Sequence, residues 1–329
     1  MNRINRKEFL ITLGLSASAY ATSRLLTACT PTETQNERIL QESPVVSHPI
    51  PTLPVESTNL PHISVARNGE PEELTRWAIA SLGGMQRFVK QGSIVVVKPN
   101  ICVAYHSYEY AATTNPWVVG ALVKLCLEAG ARKVLVMDFP FGGTSDEAYQ
   151  RSGIAEQVAQ AGGEMVGMSR FKFSSMPIPS GKDLREVSIF RDAINADVLI
   201  NVPIAKHHSL ARLTLGMKNL MGLILDRPAM HRNLSQRLAD LTSLVQPDLT
   251  VIDGVRVLMA NGPTGGDLTD VRVMNTVIAS PDIVAADSYA TTLFDLSPDD
   301  IGYIKAGAEM GLGIKDLKSL RIEEMNLGA

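Results

Sequence analysis

The stretch "DVLINVPIAKHHSLARLTLGMKNLMGLI" (residues 197–224) contains the pattern that decides the fold. It begins with "DVLIN", a short apolar run of the kind that forms a buried strand. Five apolar residues then recur at steps of three and four: Leu210, Leu213, Met217, Leu220 and Ile224. This spacing predicts an amphipathic helix that begins near Ser209. A strand followed by a helix is the unit from which parallel sheets are built.

The same alternation continues on both sides of this stretch. Strand-like runs occur at 93–100, 132–138, 248–254 and 271–280, and helical patterns occur at 116–131, 233–245 and 282–294. Asn233 is a candidate N-cap for the helix that follows it. Strands that alternate with helices favour right-handed crossovers. The sequence therefore predicts an α/β fold with a largely parallel sheet and helices on both faces.

The first 29 residues have the features of an export signal with a lipobox. Arg6-Lys7 with Phe9-Leu10 resembles a twin-arginine signal, although lysine stands in the second position, so the general secretion route stays open. The apolar run that follows is too short and too polar for a good membrane span. Leu26-Thr27-Ala28-Cys29 resembles a lipobox, which predicts lipidation of Cys29. The alternative is an uncleaved anchor.

Residues 30–61 are rich in Pro, Ser, Thr and Glu and show no sustained period, which predicts a tether. The predicted α/β domain occupies residues 62–329. We therefore expect an exported lipoprotein, anchored on the extracytoplasmic side of a membrane through Cys29, with the export machinery as a partner.

Charge and cysteine content exclude several classes of function. The 329 residues carry a net charge of −3, so nothing indicates a basic face for nucleic acid. If Cys29 carries lipid, Cys102 and Cys126 remain, and two cysteines are too few for an iron–sulfur cluster. These two form either a disulfide or two free thiols.

Polar residues stand at the ends of the predicted strands. Lys98 and Asn100 end one run, Asp138 ends the next, and Asp253 ends a third; Lys206 and His208 follow a fourth. Open parallel sheets bind ligands beyond the carboxyl ends of their strands. Any single Asp or Asn at such a point can instead form a turn or a cap.

The cationic residues predict a cradle for a small anion. Lys98, Lys206, His208, Lys218 and His231 are expected to converge on one cleft at the strand ends. Their alternative is an ordinary solvated helix face. A divalent metal is also possible, with His208, His231 and Asp253 as candidate ligands, although no HExxH motif is present.

Several motifs together resemble the family known as domain of unknown function 362. They are "VKPNI", "TTNP", residues 201–224, His231, "VIDGVRVLMANGP" and "SPDIVAADSYATTLFDL", and they extend over roughly residues 94–312. The family's Lys-x-His falls here on Lys206 and His208, and its Lys-Asn-x-x-Gly on Lys218, Asn219 and Gly222. Its later His and Asp-Gly fall on His231, Asp253 and Gly254. Some relatives carry a ferredoxin-like cluster domain, whose cysteines this chain lacks.

These observations together predict an enzyme that acts on a small anionic substrate, whose reaction they do not name. His208 or His231 is the acid–base candidate, and Asp253 would orient an imidazole or a metal. The expected ligand-binding residues are Lys98, Asn100, Lys206, Lys218 and Asn219. The alternatives are an anion- or metal-binding lipoprotein without turnover, and an accessory for the maturation of redox proteins.

Overall fold

The computed structural model describes residues 60–328. The predicted export signal, Cys29 and all but the last two residues of the predicted tether lie outside this range. Within it, no helix has the length and apolar character needed to cross a bilayer.

The strands of the described residues belong to one large sheet and one separate hairpin. They are β1 (Ile63–Arg67), β2 (Ile94–Pro99), β3 (Lys133–Val136), β4 (Glu164–Met165), β5 (Phe173–Pro177), β6 (Glu186–Phe190), β7 (Val198–Val202), β8 (Ile204–His208), β9 (Arg212–Thr214), β10 (Leu249–Leu258), β11 (Val271–Ser280) and β12 (Ile322–Asn326).

The α-helices of residues 60–328 vary widely in length. They are α1 (Pro71–Ser81), α2 (Pro116–Glu128), α3 (Ser145–Arg151), α4 (Ile154–Gln160), α5 (Arg191–Ile194), α6 (Gly216–Asn219), α7 (Leu234–Val245), α8 (Ile283–Ala290) and α9 (Gly302–Glu309). Short 3-10 segments connect several of them, including Leu220–Leu223 directly after α6.

The main sheet is mostly parallel and has ten strands, which confirms the predicted fold class. Its order is β12-β1-β11-β10-β7-β2-β3-β4, with β8 paired to β10 and β9 paired to β8. Strands β2, β3, β4, β7 and β8 enter through parallel pairs. The antiparallel pairs are β1–β11, β10–β11 and β8–β9.

Side chains from each face of the sheet enter different cores. Val95 and Val97 of β2 join one cluster with α1 and α2, whereas Val96 joins a second cluster with α7, α8 and α9. This alternation is the two-residue period of a strand. Helices therefore cover both faces, as the sequence predicts.

The helix predicted from Ser209 is wrong. Residues 204–214 form the β8–β9 hairpin, in which Lys206 pairs with Thr214 and His208 with Arg212. Helix follows only at α6, which is a single turn. Backbone N–H and C=O groups of β8 form hydrogen bonds with β10, whereas in a helix they would bond within the segment itself. Arg212 lies in β9 and pairs with Asp300 at the surface.

Two further expectations on local structure have clear outcomes. Leu213, Met217 and Leu220 are buried as predicted, but Leu210 is 67% exposed because it lies in the hairpin turn. The Asn233 side chain makes no capping hydrogen bond to α7, which is preceded by the 3-10 segment Pro228–Asn233.

Candidate functional site

A cavity of about 400 Å³ lies where β2, β3 and β8 end and where α6 begins. It is lined by the predicted residues Lys98, Asn100, Lys206, His208, Lys218, Asn219 and His231. Asp253 is absent from its lining. We refer to this space as the cationic cavity. A larger depression of about 700 Å³, beside Tyr105 and Glu147, has none of the predicted residues in its lining.

Lys98 supports the cavity floor and has no free donor for a ligand. Its Nζ donates to Asp138 Oδ1 at 2.8 Å, to Asn219 Oδ1 at 3.0 Å and to the Pro99 carbonyl at 2.7 Å. Burial lowers the pKa of Lys98, and the Asp138 carboxylate acts in the opposite direction. An ammonium has three N–H donors, and three acceptors occupy them. Lys98 thus lines the cavity with its donors already engaged, and its predicted role in ligand binding stays a prediction.

Gly222 leaves room for this ion pair. A Cβ at Gly222 would lie 1.8 Å from Asp138 Oδ1 and 2.5 Å from Lys98 Nζ. Both distances are far inside van der Waals contact, so any larger residue would displace the pair. The glycine of the Lys-Asn-x-x-Gly motif is thus required by a close approach.

Asn219 and Asn100 connect Lys98 to Lys206. Asn219 Oδ1 accepts from Asn100 Nδ2 at 2.9 Å, and Asn219 Nδ2 donates to Asn201 Oδ1 at 2.9 Å. Asn100 Oδ1 accepts from Lys206 Nζ at 3.0 Å. These amides are engaged with the protein itself and connect the two buried lysines, and their predicted role in ligand binding stays a prediction.

Lys206 is a second buried cation, and its partners are neutral. Its Nζ lies 2.6 Å from the Ala112 carbonyl, 2.8 Å from the Pro263 carbonyl and 3.3 Å from Cys102 Sγ. With Asn100 these partners occupy its donors. Lys206 therefore contributes a positive field to the cavity and does not offer it a free N–H.

Lys218 is the exception among the buried lysines. It is 8% exposed, and the only hydrogen-bond partner of its Nζ among residues 60–328 is the thioether of Met221, at 3.1 Å. A thioether is a weak acceptor. Burial, together with the charges of Lys206 and Arg227, lowers the pKa of Lys218 to about 8. This amine is poorly solvated, lacks a counter-charge and lines the cavity.

A buried carboxylate positions Lys218. Asp287 on α8 accepts hydrogen bonds from the backbone N–H groups of Gly216, at 2.5 Å, and Met217, at 2.9 Å. A Cβ at Gly216 would lie 2.7 Å from Asp287 Oδ1, so the first residue of α6 must be small. Burial raises the pKa of Asp287 to about 7. Sequence reasoning missed Asp287, because it lies within an otherwise apolar helical pattern.

His208 lines the cavity with one of its two ring nitrogens already engaged. Its Nδ1 accepts from the backbone N–H groups of Leu210, at 3.1 Å, and Ala211, at 3.3 Å. Nδ1 is therefore unprotonated, and the proton of the neutral ring is on Nε2. Burial and the charges of Lys218 and Lys206 lower the pKa of His208 to about 3. In this tautomer Nε2 is a donor and not an acceptor, and the acid–base role predicted for His208 stays a prediction.

His231 and Arg227 complete the cationic lining at the more exposed side. His231 is largely exposed. Partial burial of its ring and the positive charge of Lys218 both lower its pKa. Arg227 donates from Nε to the Met221 carbonyl at 3.0 Å and from Nη2 to the Phe139 carbonyl. Its Nη1 has no hydrogen-bond partner among residues 60–328. Sequence reasoning did not select Arg227, although it lies four residues before His231 in the same loop.

Asp253, the predicted catalytic carboxylate, lies in the scaffold and outside the cavity lining. It is fully buried, with Oδ2 accepting from the Asn115 N–H at 2.6 Å and Oδ1 from the Val255 N–H at 2.9 Å. It thus anchors the residue that caps α2. Burial raises its pKa to about 7. The trio of His208, His231 and Asp253 does not assemble, and residues 60–328 contain no group of three His, Cys, Asp or Glu side chains suited to a metal.

Cys102 and Cys126 are free thiols in the structure. Cys102 contacts the Lys206 amine beside the cavity, whereas Cys126 lies in the core between α2 and the sheet. Burial raises the pKa of the Cys126 thiol to about 12.

Fold and site together define an α/β protein with a buried, cation-rich cavity at its strand ends. The chain belongs to the family described as Domain of unknown function (DUF362), which it matches over residues 95–292. That range includes the whole cavity and Asp287. A thylakoid-associated protein of Synechocystis sp. is 29% identical to this chain over 252 residues, which cover 72% of this chain and 74% of that protein.

Two solved structures are more distantly similar. The lactate racemase apoprotein from Thermoanaerobacterium thermosaccharolyticum aligns with 67% of this chain at 15% identity and a TM-score of 0.43. A Thermotoga maritima protein solved by structural genomics aligns with 69% of this chain at 13% identity and a TM-score of 0.38. The alignments span 54% and 60% of those two chains.

Proposed function

We propose that the cationic cavity binds a small organic anion, and that the protein is an enzyme that acts on it. The observation that carries this proposal is Lys218, a buried ammonium whose partner is a thioether. An unpaired buried charge costs several kcal/mol, on the order of the desolvation penalty of one ion. A bound carboxylate or phosphate would offset this cost by supplying the missing counter-charge.

The neighbouring groups support the same ligand class. Arg227 Nη1 and His208 Nε2 have no hydrogen-bond partner among the described residues, and both residues line the cavity. Three donors on different elements can bind an anionic head group from several sides. Lys206 adds positive charge behind them. Of the predicted cradle residues, Lys218 and His208 thus offer free donors, and Arg227 joins them.

The size and the walls of the cavity limit the ligand further. A volume of about 400 Å³ suits a small molecule, because ligand pockets commonly span about 300–1,000 Å³. Apolar walls come from Phe139, Phe141, Leu210, Met221 and Pro228. A small anion with a short apolar part fits this combination better than a bare inorganic ion does.

Catalysis is proposed because polar groups of different function line one cavity. His208 offers a fixed N–H that can polarise an oxygen, and the exposed His231 can exchange a proton with solvent. His231 is therefore the acid–base candidate. Recovery of the ligand unchanged after long incubation with the protein would instead favour a binding lipoprotein.

The ligand can be identified directly. The full chain would be purified from native membranes and denatured, and the released small molecules would be analysed by mass spectrometry. We expect one organic anion at close to one per chain. Lys218→Met should reduce its amount about tenfold or more, the equivalent of about 1.4 kcal/mol, whereas Lys90→Met at an exposed position should not. Equal recovery from all three proteins would contradict the proposal.

We also propose that the chain is an exported lipoprotein anchored through Cys29. Support comes from Leu26-Thr27-Ala28-Cys29 and from the Pro- and Ser-rich stretch after it. The Synechocystis relative is named as thylakoid-associated, which agrees with a place at a membrane. Cys29→Ala should move the protein from the detergent phase to the aqueous phase in a phase-partition assay. Unchanged partition would remove the lipid anchor. Arg6→Lys should reduce export if the twin-arginine route is used.

A further inference from the structure

The buried lysines of the cavity differ in what their amines contact. Lys98 has three oxygen acceptors, and Lys206 has three oxygens and a thiol. Lys218 has a single thioether. The first two amines are held in place by the protein. The third is held in the cavity by its backbone alone, through α6 and Asp287, which leaves its nitrogen free to react.

We propose that Lys218 forms an imine with the carbonyl carbon of a small oxo acid bound in the cationic cavity. This inference rests on the proposed anion site and names its substrate class and its nucleophile.

An amine attacks a carbonyl only when it is unprotonated. Burial and the nearby cations lower the pKa of Lys218 to about 8, so about one amine in ten is neutral at pH 7. For a lysine at the usual pKa near 10.4 the fraction is on the order of one in three thousand. Desolvation and a neighbouring cation are the two means by which proteins activate lysine nucleophiles, and both are present here.

The other donors of the cavity suit the remaining atoms of an oxo acid. Arg227 Nη1 can pair with the carboxylate, and His208 Nε2–H can donate to the carbonyl oxygen. Because Nδ1 of His208 is occupied by the Leu210 and Ala211 amides, its ring presents an N–H and not a lone pair. Phe139 and Met221 offer an apolar wall for a short alkyl group.

The step conserves atoms and electrons without an oxidant or a reductant. The lone pair of Lys218 Nζ forms a C–N bond while the C=O π pair moves to oxygen. One amine proton passes to that oxygen, which gives a carbinolamine. The second amine proton is lost, a proton exchanged through His231 joins the hydroxyl, and water leaves. The products are one C=N bond and one water molecule.

Reductive trapping tests this inference. The full-length protein would be incubated with pyruvate and sodium cyanoborohydride at neutral pH, digested and mapped by mass spectrometry. We expect a carboxyethyl group on Lys218, formed about three hundredfold faster than on exposed lysines, since the rate follows the neutral fraction. Lys218→Arg keeps a cation and should abolish this adduct. Lys90→Arg, at an exposed site, should leave it unchanged.

Pyruvate binding, measured by calorimetry without the reductant, separates the two claims. If pyruvate binds and Lys218 gains no adduct, or gains it no faster than Lys90, the imine is wrong and the anion site stands. If neither pyruvate nor malonate binds, the anion site and the imine are both overturned.

Discussion

The buried ammonium of Lys218 destabilises the folded protein and can bind an anion in the cavity. Its ammonium is 8% exposed and, among residues 60–328, forms no ion pair with Asp or Glu. Removing an ion from water without a partner destabilises the folded state. The folded protein should therefore be less stable without a bound anion than with one. An anion that binds the cavity should raise the free energy of unfolding by mass action.

Replacing Lys218 by methionine should stabilise the empty protein. Because the folded pKa is about 8 and the usual value is 10.5, the folded state loses stability as pH falls through this window, and the loss is complete below about pH 8. Lys218→Met should gain roughly 1–3 kcal/mol at pH 7, measured by urea unfolding. The difference should shrink as pH rises from about 8 and vanish above about 10.5, where the lysine is neutral in both states. A variant that is less stable than wild type at pH 7 would contradict this account of Lys218.

His208 makes the fold sensitive to acid. Its pKa is lowered from 6.5 in the unfolded chain to about 3 in the folded chain. Between these two pH values the unfolded chain binds a proton at His208 and the folded chain does not. Stability should therefore fall as pH drops below about 6.5, by up to about 1.4 kcal/mol per pH unit from this group alone.

His208→Asn should remove this contribution while its amide oxygen replaces Nδ1 as the acceptor for the turn. We expect the free energy of unfolding of the variant to change less between about pH 6 and pH 4 than that of wild type. Urea titrations at several pH values measure the difference. Parallel pH profiles of the two proteins would show that His208 protonates freely in the folded state.

The β8–β9 hairpin and α6 decide where the cations point. Lys206 and His208 alternate with His207 along β8, so both project to one side of the strand. Asp287 then fixes the first turn of α6 and directs Lys218 into the same space.

Two leucines of this segment form a matched pair for a stability test. Leu213 is 2% exposed in β9, and Leu210 is 67% exposed in the turn. Leu213→Ala should cost about 2–5 kcal/mol, as buried truncations do. Leu210→Ala should change stability by less than about 0.5 kcal/mol. Similar losses for both variants, in urea unfolding, would indicate that the two side chains share one buried face.

The burial of this segment was predictable, and its secondary structure was not. Apolar residues at steps of three and four are typical of a helix, but Leu213, Met217 and Leu220 reach the same core from a strand, a single turn and a 3-10 segment. The deciding contact is the pairing of β8 with β10, some fifty residues away in sequence. Periodicity in one segment contains no information about such a partner.

At the scale of the molecule, the parallel strand ends bring distant residues together. Lys98, Lys206, His208, Lys218 and His231 all line one cavity, three of them from strands and two from the helical segments that follow. Some of these side chains are engaged by the protein and others have free donors. This difference depends on individual hydrogen bonds, which strand order does not specify. Lys98 is neutralised by Asp138, whereas Lys218 has no such partner.

The hydrogen bonds of Asp253 were also not predictable from its place in the sequence. It stands in β10 next to β8 and ends a predicted strand run, as a catalytic carboxylate would. The Asn115 and Val255 amides instead consume both of its oxygens. Asp and Asn after strands serve caps and turns as readily as chemistry, so sequence alone could not separate the two roles.

The central claim, an anion site that depends on the charge of Lys218, is tested most directly by calorimetric titration of malonate into the full-length protein at several pH values. Malonate stays fully ionised from neutral to alkaline pH, so changes in affinity report on the protein. We predict that wild-type affinity falls about tenfold or more between about pH 7 and pH 9.5, as Lys218 loses its proton. Lys218→Met should bind weakly at both pH values. Equal affinity of the two proteins, unchanged by pH, would contradict the account.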